Sequence, residues 1–261
     1  DDVNSKNDFP FRSLLAAVAF LTFDYFLIKE PILKYWDDVK TEMFPHILSF
    51  LGNFTYSVEM EDFYIDRYES YDIVPQHDYS YFEDLIVGEY NGVKITLFES
   101  VLENRRYKKQ RSYIVFEGVV LKLSINKKFH GKTIIRRDLG GLDNWITDKL
   151  SDLDVVKLED PEFEKQFEVF ATDQIESRYL LTTSFMQRLI DLNDVYESQK
   201  MECAFYDNSL LMLISLNRNL FEPGSIFSRE DFIDDAKILL RQMNAIFSII
   251  ETLKLDLDIG L

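Results

Sequence analysis

The sequence predicts an α+β domain: an antiparallel sheet system with an N-terminal helical pair and a long C-terminal helix. Three observations predict it. Alternating apolar and polar runs break at Asn91-Gly92, the favoured pair for a two-residue hairpin turn, and again around Asp207-Asn208. A continuous apolar stripe at helical spacing runs from Phe232 through Ala236, Leu239, Met243, Ile246 and Ile250 to Leu253. Hydrophobic residues make up 46% of the 261 and aromatics 15%, with only 9 Gly and 6 Pro, so a large core is available and long linkers are not. Many strands followed by one terminal helix also fit a pleckstrin-like barrel, by analogy of element order alone.

Taken in order, residues 1–52 read as an N-terminal helical, membrane-proximal segment and residues 53–261 as the α+β domain. The chain opens on Asp1, so a trimmed or processed start is expected. Ser13 to Ile28 is apolar nearly all round, but at 16 residues including Asp24 it falls short of the roughly 20 a membrane span needs, which favours a buried or interfacial helix. Pro31 suits the first turn of a second helix reaching about Leu51, with Pro45 expected to kink it and Gly52 to stop it. Residues 54–82 hold nine aromatics and seven carboxylates, reading as a strand and then a loop pinned by its tyrosines. The hairpin at Asn91-Gly92 follows. A long β run, Ser112 to Ile125, has Gly118 as a bulge or close approach. A short strand, KTIIRR, closes the meander.

A helix is expected from Asp143 to Leu150, then a strand in VVKLE. Asp160-Pro161 reads as an N-cap with Pro at the first helical position. FEVFA alternates as a strand, and Asp173 with Glu176 has the spacing of a capping box. Ser184 and Gln187 repeat that spacing, ahead of Phe185, Leu189, Leu192 and Tyr196 on one helix face. Ser228 caps the terminal helix.

The charge balance is −17, from 46 acidic against 29 basic residues. Phosphate repulsion therefore argues against nucleic acid as a partner of the whole surface. One stretch runs against that background. Between Arg105 and Arg137 stand eleven basic residues and a single acid, Glu117. Arg105, Arg106, Lys108, Lys109 and Arg111 cluster on one side of the 112–125 strand, and Lys127, Lys128 and Lys132 on the other. They form one patch if Gly118 folds the strand back. These are the candidate lipid or anion contacts; solvated loop tips guarding edge strands are the plainer alternative.

Enzyme templates fail in turn. There is no Gly-rich phosphate loop and no G-x-S-x-G elbow. The single cysteine, Cys203, sits in an apparent strand and reads as a buried thiol. His77-Asp78 reads as a loop pair. Glu162, Glu164, Glu168 and Asp173 are dense enough for an oxygen-ligand cation site, but lack EF-hand spacing. No cofactor is indicated.

The run LEDPEFEKQFEVFATDQIESRYLLTTSFMQRL resembles the signature of the bacterial domain-of-unknown-function 3137 family. Leu158 to Lys165, Phe167, Val169, Asp173, Arg178, Tyr179, Leu181, Thr182, Met186 and Leu189 carry the resemblance, with Ser177 and Thr183 departing from it. The resemblance implies N-terminal hydrophobic helices near a membrane, a soluble domain behind them, and a LemA-like membrane protein as a partner. It brings no catalytic residues. The leading expectation is a non-enzymatic domain, at the cytoplasmic face of a bacterial membrane or in the cytoplasm, that binds anionic lipid headgroups or a membrane protein. A protein-protein module using residues 54–82 and a divalent-cation enzyme using Glu162 to Asp173 are the alternatives. Arg178 is claimed by no local carboxylate, so it is a candidate ligand contact or structural brace. Oligomeric state is left open.

Overall fold

The sheet is built outward from its turns. In the computed structural model, which describes residues 38–58, 60, 65–106, 111–125, 129–137, 150, 152–198, 200–216 and 229–258 and single positions between 20 and 34, nine strands form one sheet. They are β1 (Phe54–Ser57), β2 (Tyr79–Tyr90), β3 (Val93–Arg106), β4 (Arg111–Ser124), β5 (Thr133–Arg137), β6 (Asp154–Val156), β7 (Phe167–Ala171), β8 (Lys200–Tyr206) and β9 (Ser209–Ser215). Their order is β1-β2-β3-β4-β9-β8-β5-β7-β6, antiparallel at every pairing. This is the α+β class that the sequence predicts. The order is open, with short β1 and β6 at its two ends, so the pleckstrin-like barrel is not formed.

Both predicted hairpins are present. Asn91 and Gly92 take φ of 50° and 82°, as a type I′ turn requires. Asp207 takes φ of 56° at the second turn. The first hairpin runs longer than its sequence alternation, because β2 continues back to Tyr79 and β3 on to Arg106. Strand β4 stays a single strand through Gly118. A Cβ at Gly118 would collide with the Ile214 carbonyl oxygen of β9, and its φ of 148° is a conformation side chains rarely adopt. The glycine marks a close approach and leaves β4 unfolded on itself.

Alternation assigns each strand two faces. One carries Leu97 of β3, Val119 and Leu121 of β4, Met212 and Ile214 of β9, Cys203 of β8 and Val169 of β7. The helices cover this face: α1 (Phe44–Ser49), α2 (Pro161–Glu164), α3 (Gln174–Leu180), α4 (Thr183–Tyr196) and α5 (Arg229–Asp258). The other face, with Phe98, Val120, Ile134, Leu211 and Leu213, is covered by the 3-10 turn Ile65–Tyr71 and the segment after it. Tyr68 and Tyr71 are buried there, so the 54–82 loop is pinned by tyrosines as expected.

The helix starts follow local chemistry. Asp160 accepts from the N–H groups of Glu162 and Phe163, and Asp173 from those of Ile175 and Glu176. Two expectations fail in detail. Glu176 does not complete a capping box; its carboxylate accepts from the N–H groups of His130 (3.0 Å) and Gly131 (2.8 Å), tying α3 to the loop before β5. The cap of α4 is Thr182, not Ser184, because the Thr182 hydroxyl reaches the Phe185 N–H and Ser184 is left exposed in the first turn. The predicted face Phe185, Leu189, Leu192 and Tyr196 is buried. So are Leu239, Met243, Ile246 and Ile250 of α5.

Before α1, residues Val39–Met43 form a π-helical turn. Pro45 lacks an N–H and its ring crowds the carbonyl of Thr41, so the helix widens there and continues as α1, without a break. Among the described residues no helix is long and apolar enough to cross a membrane. The Ser13 to Ile28 and Asp143 to Leu150 helices and the Ser228 cap lie outside the described residues, apart from single positions; of these Phe20, Phe23 and Leu27 are exposed.

Candidate functional site

The candidate cations fall on two ends of one strand. Arg105 and Arg106 end β3, and Arg111 begins β4. At the opposite end of β4, roughly 45 Å away for 14 extended residues, stands Lys132, next to Thr133 of β5, which the pairing through β8 and β9 sets level with Leu123. Arg105 and Lys132, the described side chains of the two clusters, therefore stand at opposite ends of the sheet. Lys108, Lys109, Lys127 and Lys128 lie outside the described residues, as do the side chains of Arg106 and Arg111. Lys132 has a structural role: its ammonium pairs with Asp72 and lies 4.8 Å from the Tyr206 ring centroid. Arg136 is buried against Glu202 at 2.8 Å, and Arg137 donates to the Ser198 carbonyl. Of the first cluster, Arg105 is the member whose side chain is described, and it is exposed.

Its surroundings were not legible in the sequence. Cross-strand pairing places Tyr81, Val101 and Glu117 in one row and Tyr79, Glu103 and Ile114 in the next. Paired residues share a face, here the face of Leu97, continued past the end of its helical cover. Tyr79, Tyr81 and Ile114 are 44%, 57% and 51% exposed. Arg105 lies two residues beyond Glu103 on that face. Its backbone N–H donates to Asp78 (2.7 Å) and its guanidinium to the Tyr79 hydroxyl (3.4 Å). The result is a tyrosine-bearing patch, with Glu103 and Glu117 in its rows and Arg105 at its border.

A second constellation is buried beside it. Register slips between Glu83 and Ile86, and Asp84 takes φ of 57° in the resulting bulge. That conformation turns the Asp84 carboxylate toward the helical layer. Its Oδ2 accepts from Lys40 Nζ at 2.9 Å and its Oδ1 from the Tyr56 hydroxyl. Asp84 is fully buried, and carboxylate oxygens of Glu83, Asp84 and Glu99 lie within 4.8 Å of one another. Burial pushes the Asp84 carboxyl up against the opposing pull of Tyr56 and Lys40. Burial and then the Asp84 charge push the Tyr56 phenol up. Lys40 supplies the compensating charge for this acidic group and fastens the N-terminal helical segment to β2. Sequence reasoning missed the site because 44 residues separate Lys40 from Asp84.

The carboxylates from Glu162 to Asp173 do not gather into a cation site among the described residues. Glu164 accepts from the Leu158 N–H, and Asp173 is spent as a cap. Cys203 is buried with its thiol pushed up by desolvation, as a core residue. His77 Nδ1 lies 3.0 Å from the Pro75 carbonyl oxygen, in a loop. Arg178 is exposed and has no partner among the described residues.

Comparison with known proteins adds the following. No curated protein matches. Among solved structures, the crystal structure of the mycobacterial trehalose monomycolate transport factor A, TtfA, overlays with a TM-score of 0.43 at 13% identity, covering 79% of this chain and 96% of that one. The DUF3137 family model, described as a protein of unknown function, matches residues 114–255, from β4 to near the end of α5. That span is more than half of the chain and includes the 158–189 signature, so the chain belongs to the DUF3137 family.

Proposed function

We propose that this chain is a non-enzymatic domain that docks on an anionic lipid surface, at the cytoplasmic face of a bacterial membrane, through the turn of the β3–β4 hairpin. The observation that carries this reading is the exposed patch of Tyr79, Tyr81 and Ile114 beside Arg105. Tyrosine has an apolar ring and a wet hydroxyl, which suits the headgroup level of a bilayer. The segment from Arg105 to Arg111 adds five basic residues and no acid, each worth about 1 kcal/mol near an anionic surface. Phe44 packs on Tyr56 at the level of Ile86, and Lys40 reaches Asp84, one step nearer the turn. Upstream, exposed Phe20, Phe23 and Leu27 fall at helical spacing.

Flotation with phosphatidylglycerol vesicles is expected to recover the protein, and phosphatidylcholine vesicles to leave it behind. Charge reversal at Arg105, Arg106, Lys108 and Lys109 is expected to abolish recovery. Absence of binding to the anionic vesicles at low salt would overturn the reading.

A further inference from the structure

At the sheet edge remote from β1 lies a cleft of about 800 Å³ between the Lys157–Pro161 turn and the start of α4. Leu158, Leu181 and Met186 are its inner, apolar part, and Lys157 and Arg178 stand exposed at its mouth. Neither cation has a partner among the described residues, in a chain of net charge −17. The nearby acids are largely committed to the wall itself. Asp160 holds the N–H groups of Glu162 and Phe163, and Glu164 Oε1 accepts from the Leu158 N–H at 2.7 Å. Glu159 is the one lining acid without such a bond. These caps fix the turn, so a ligand would meet a wall already ordered.

Two further features share this corner. Among the described residues β6 pairs with β7 alone, so no described strand occupies its outer edge. Val155 in that strand is 52% exposed. On α3, Ile175 and Tyr179 are exposed to either side of Arg178 in sequence, at one-turn spacing.

We propose that the cleft takes an extended acidic segment of a partner protein, added as a strand to the edge of β6 that faces away from β7. Successive residues of such a segment point alternately to the two sheet faces. One side chain enters beside Leu158, Leu181 and Met186, and the residue two positions away sets a carboxylate against Arg178 and Lys157. The residue between them lies along Val155. The recognised pattern is an apolar residue two positions from an acid, in a segment free to extend. A guanidinium–carboxylate pair is planar and two-pronged, so Arg178 supplies the specificity and Lys157 an added charge. The cleft is apart from the hairpin turn, so the proposal does not rest on lipid binding.

The test is selection of phage-displayed random dodecapeptides on the full chain, with counter-selection on the K157E/R178E variant. Both side chains are exposed, so the variant is expected to keep the wild-type circular dichroism and urea midpoint. Enriched peptides should carry the apolar–any–acid pattern. A synthetic copy should bind the R178E chain about tenfold or more weakly. N-methylation of one alternate set of its amides should abolish binding, while methylation of the other set should not. Failure to enrich any sequence over the variant, equal affinity for R178E, or indifference to both methylation patterns would each overturn the proposal.

Discussion

Replacing Lys40 by Met removes the cation from Asp84 and leaves the rest of the site in place. Asp84 has no access to water, and its remaining donor is the Tyr56 hydroxyl. Stripping one partner from a buried ion pair typically costs about 3–5 kcal/mol. A ceiling follows from protonation. If the orphaned carboxyl simply takes up a proton, the cost at pH 7 is the free energy of neutralising an acid of ordinary pKa 3.8, about 4 kcal/mol. At pH 5 the same step costs about 1.6 kcal/mol. The sign is fixed by the raised carboxyl: folding then favours the protonated acid, so stability is gained at low pH and lost as pH rises. Urea unfolding followed by circular dichroism should therefore show K40M destabilised by about 3–4 kcal/mol at pH 7 and by roughly half that at pH 5. The K40M/D84N double variant should recover about 2 kcal/mol of the loss at pH 7, since no buried charge remains. A K40M penalty below about 1 kcal/mol, or one that does not change with pH, would refute the claim that this pair is a buried brace.

Gly118→Ala should destabilise by more than about 2 kcal/mol in the same assay, through the positive φ and the clash with the Ile214 carbonyl, whereas Gly92→Ala, with open space around its Cβ, should cost less. Tyr56 and Tyr196 are pushed up from 10.0 and Cys203 from 9.0, chiefly by burial, so their contribution is full below those values and drains as pH rises past them. Alkaline titration should accordingly show Tyr56 and Tyr196 among those of the fourteen tyrosines that ionise only as the chain unfolds. Cys203 should be inert to a thiol reagent at pH 8 until urea is added. Glu176→Ala should cost about 1–3 kcal/mol, by leaving the His130 and Gly131 N–H groups without their acceptor.

What could be read from the chain divides by distance along it. The turns at Asn91-Gly92 and Asp207-Asn208, the caps Asp160 and Asp173, and the buried rows of α4 and α5 all rest on residues within a few positions of one another. Each was legible. The order of strands was not, because β5 sits between β8 and β7, and nothing local tells KTIIRR which edges it will fill. The same limit explains the sites. Arg105 could be seen as part of a basic run, but its neighbours Tyr79 and Ile114 come from other strands, brought together by register. Lys132 looked equivalent to the other cations in sequence, yet the fold sets it on Asp72 and Tyr206. Glu176 had the spacing of a capping box, and a loop 45 residues away claimed it instead.

The join between β3 and β4 has a practical consequence for how this chain can be divided. The family match begins at residue 114, inside β4, whose whole length is zipped to β3 on one side and, from Gly118 onward, to β9 on the other. A fragment cut at that boundary would bare one side of a strand carrying Val119, Val120, Leu121 and Leu123. Such an uncapped, apolar ribbon invites sheet-to-sheet stacking between molecules. Recombinant pieces that begin before β1 should stay dispersed, while those that begin at the family boundary should precipitate.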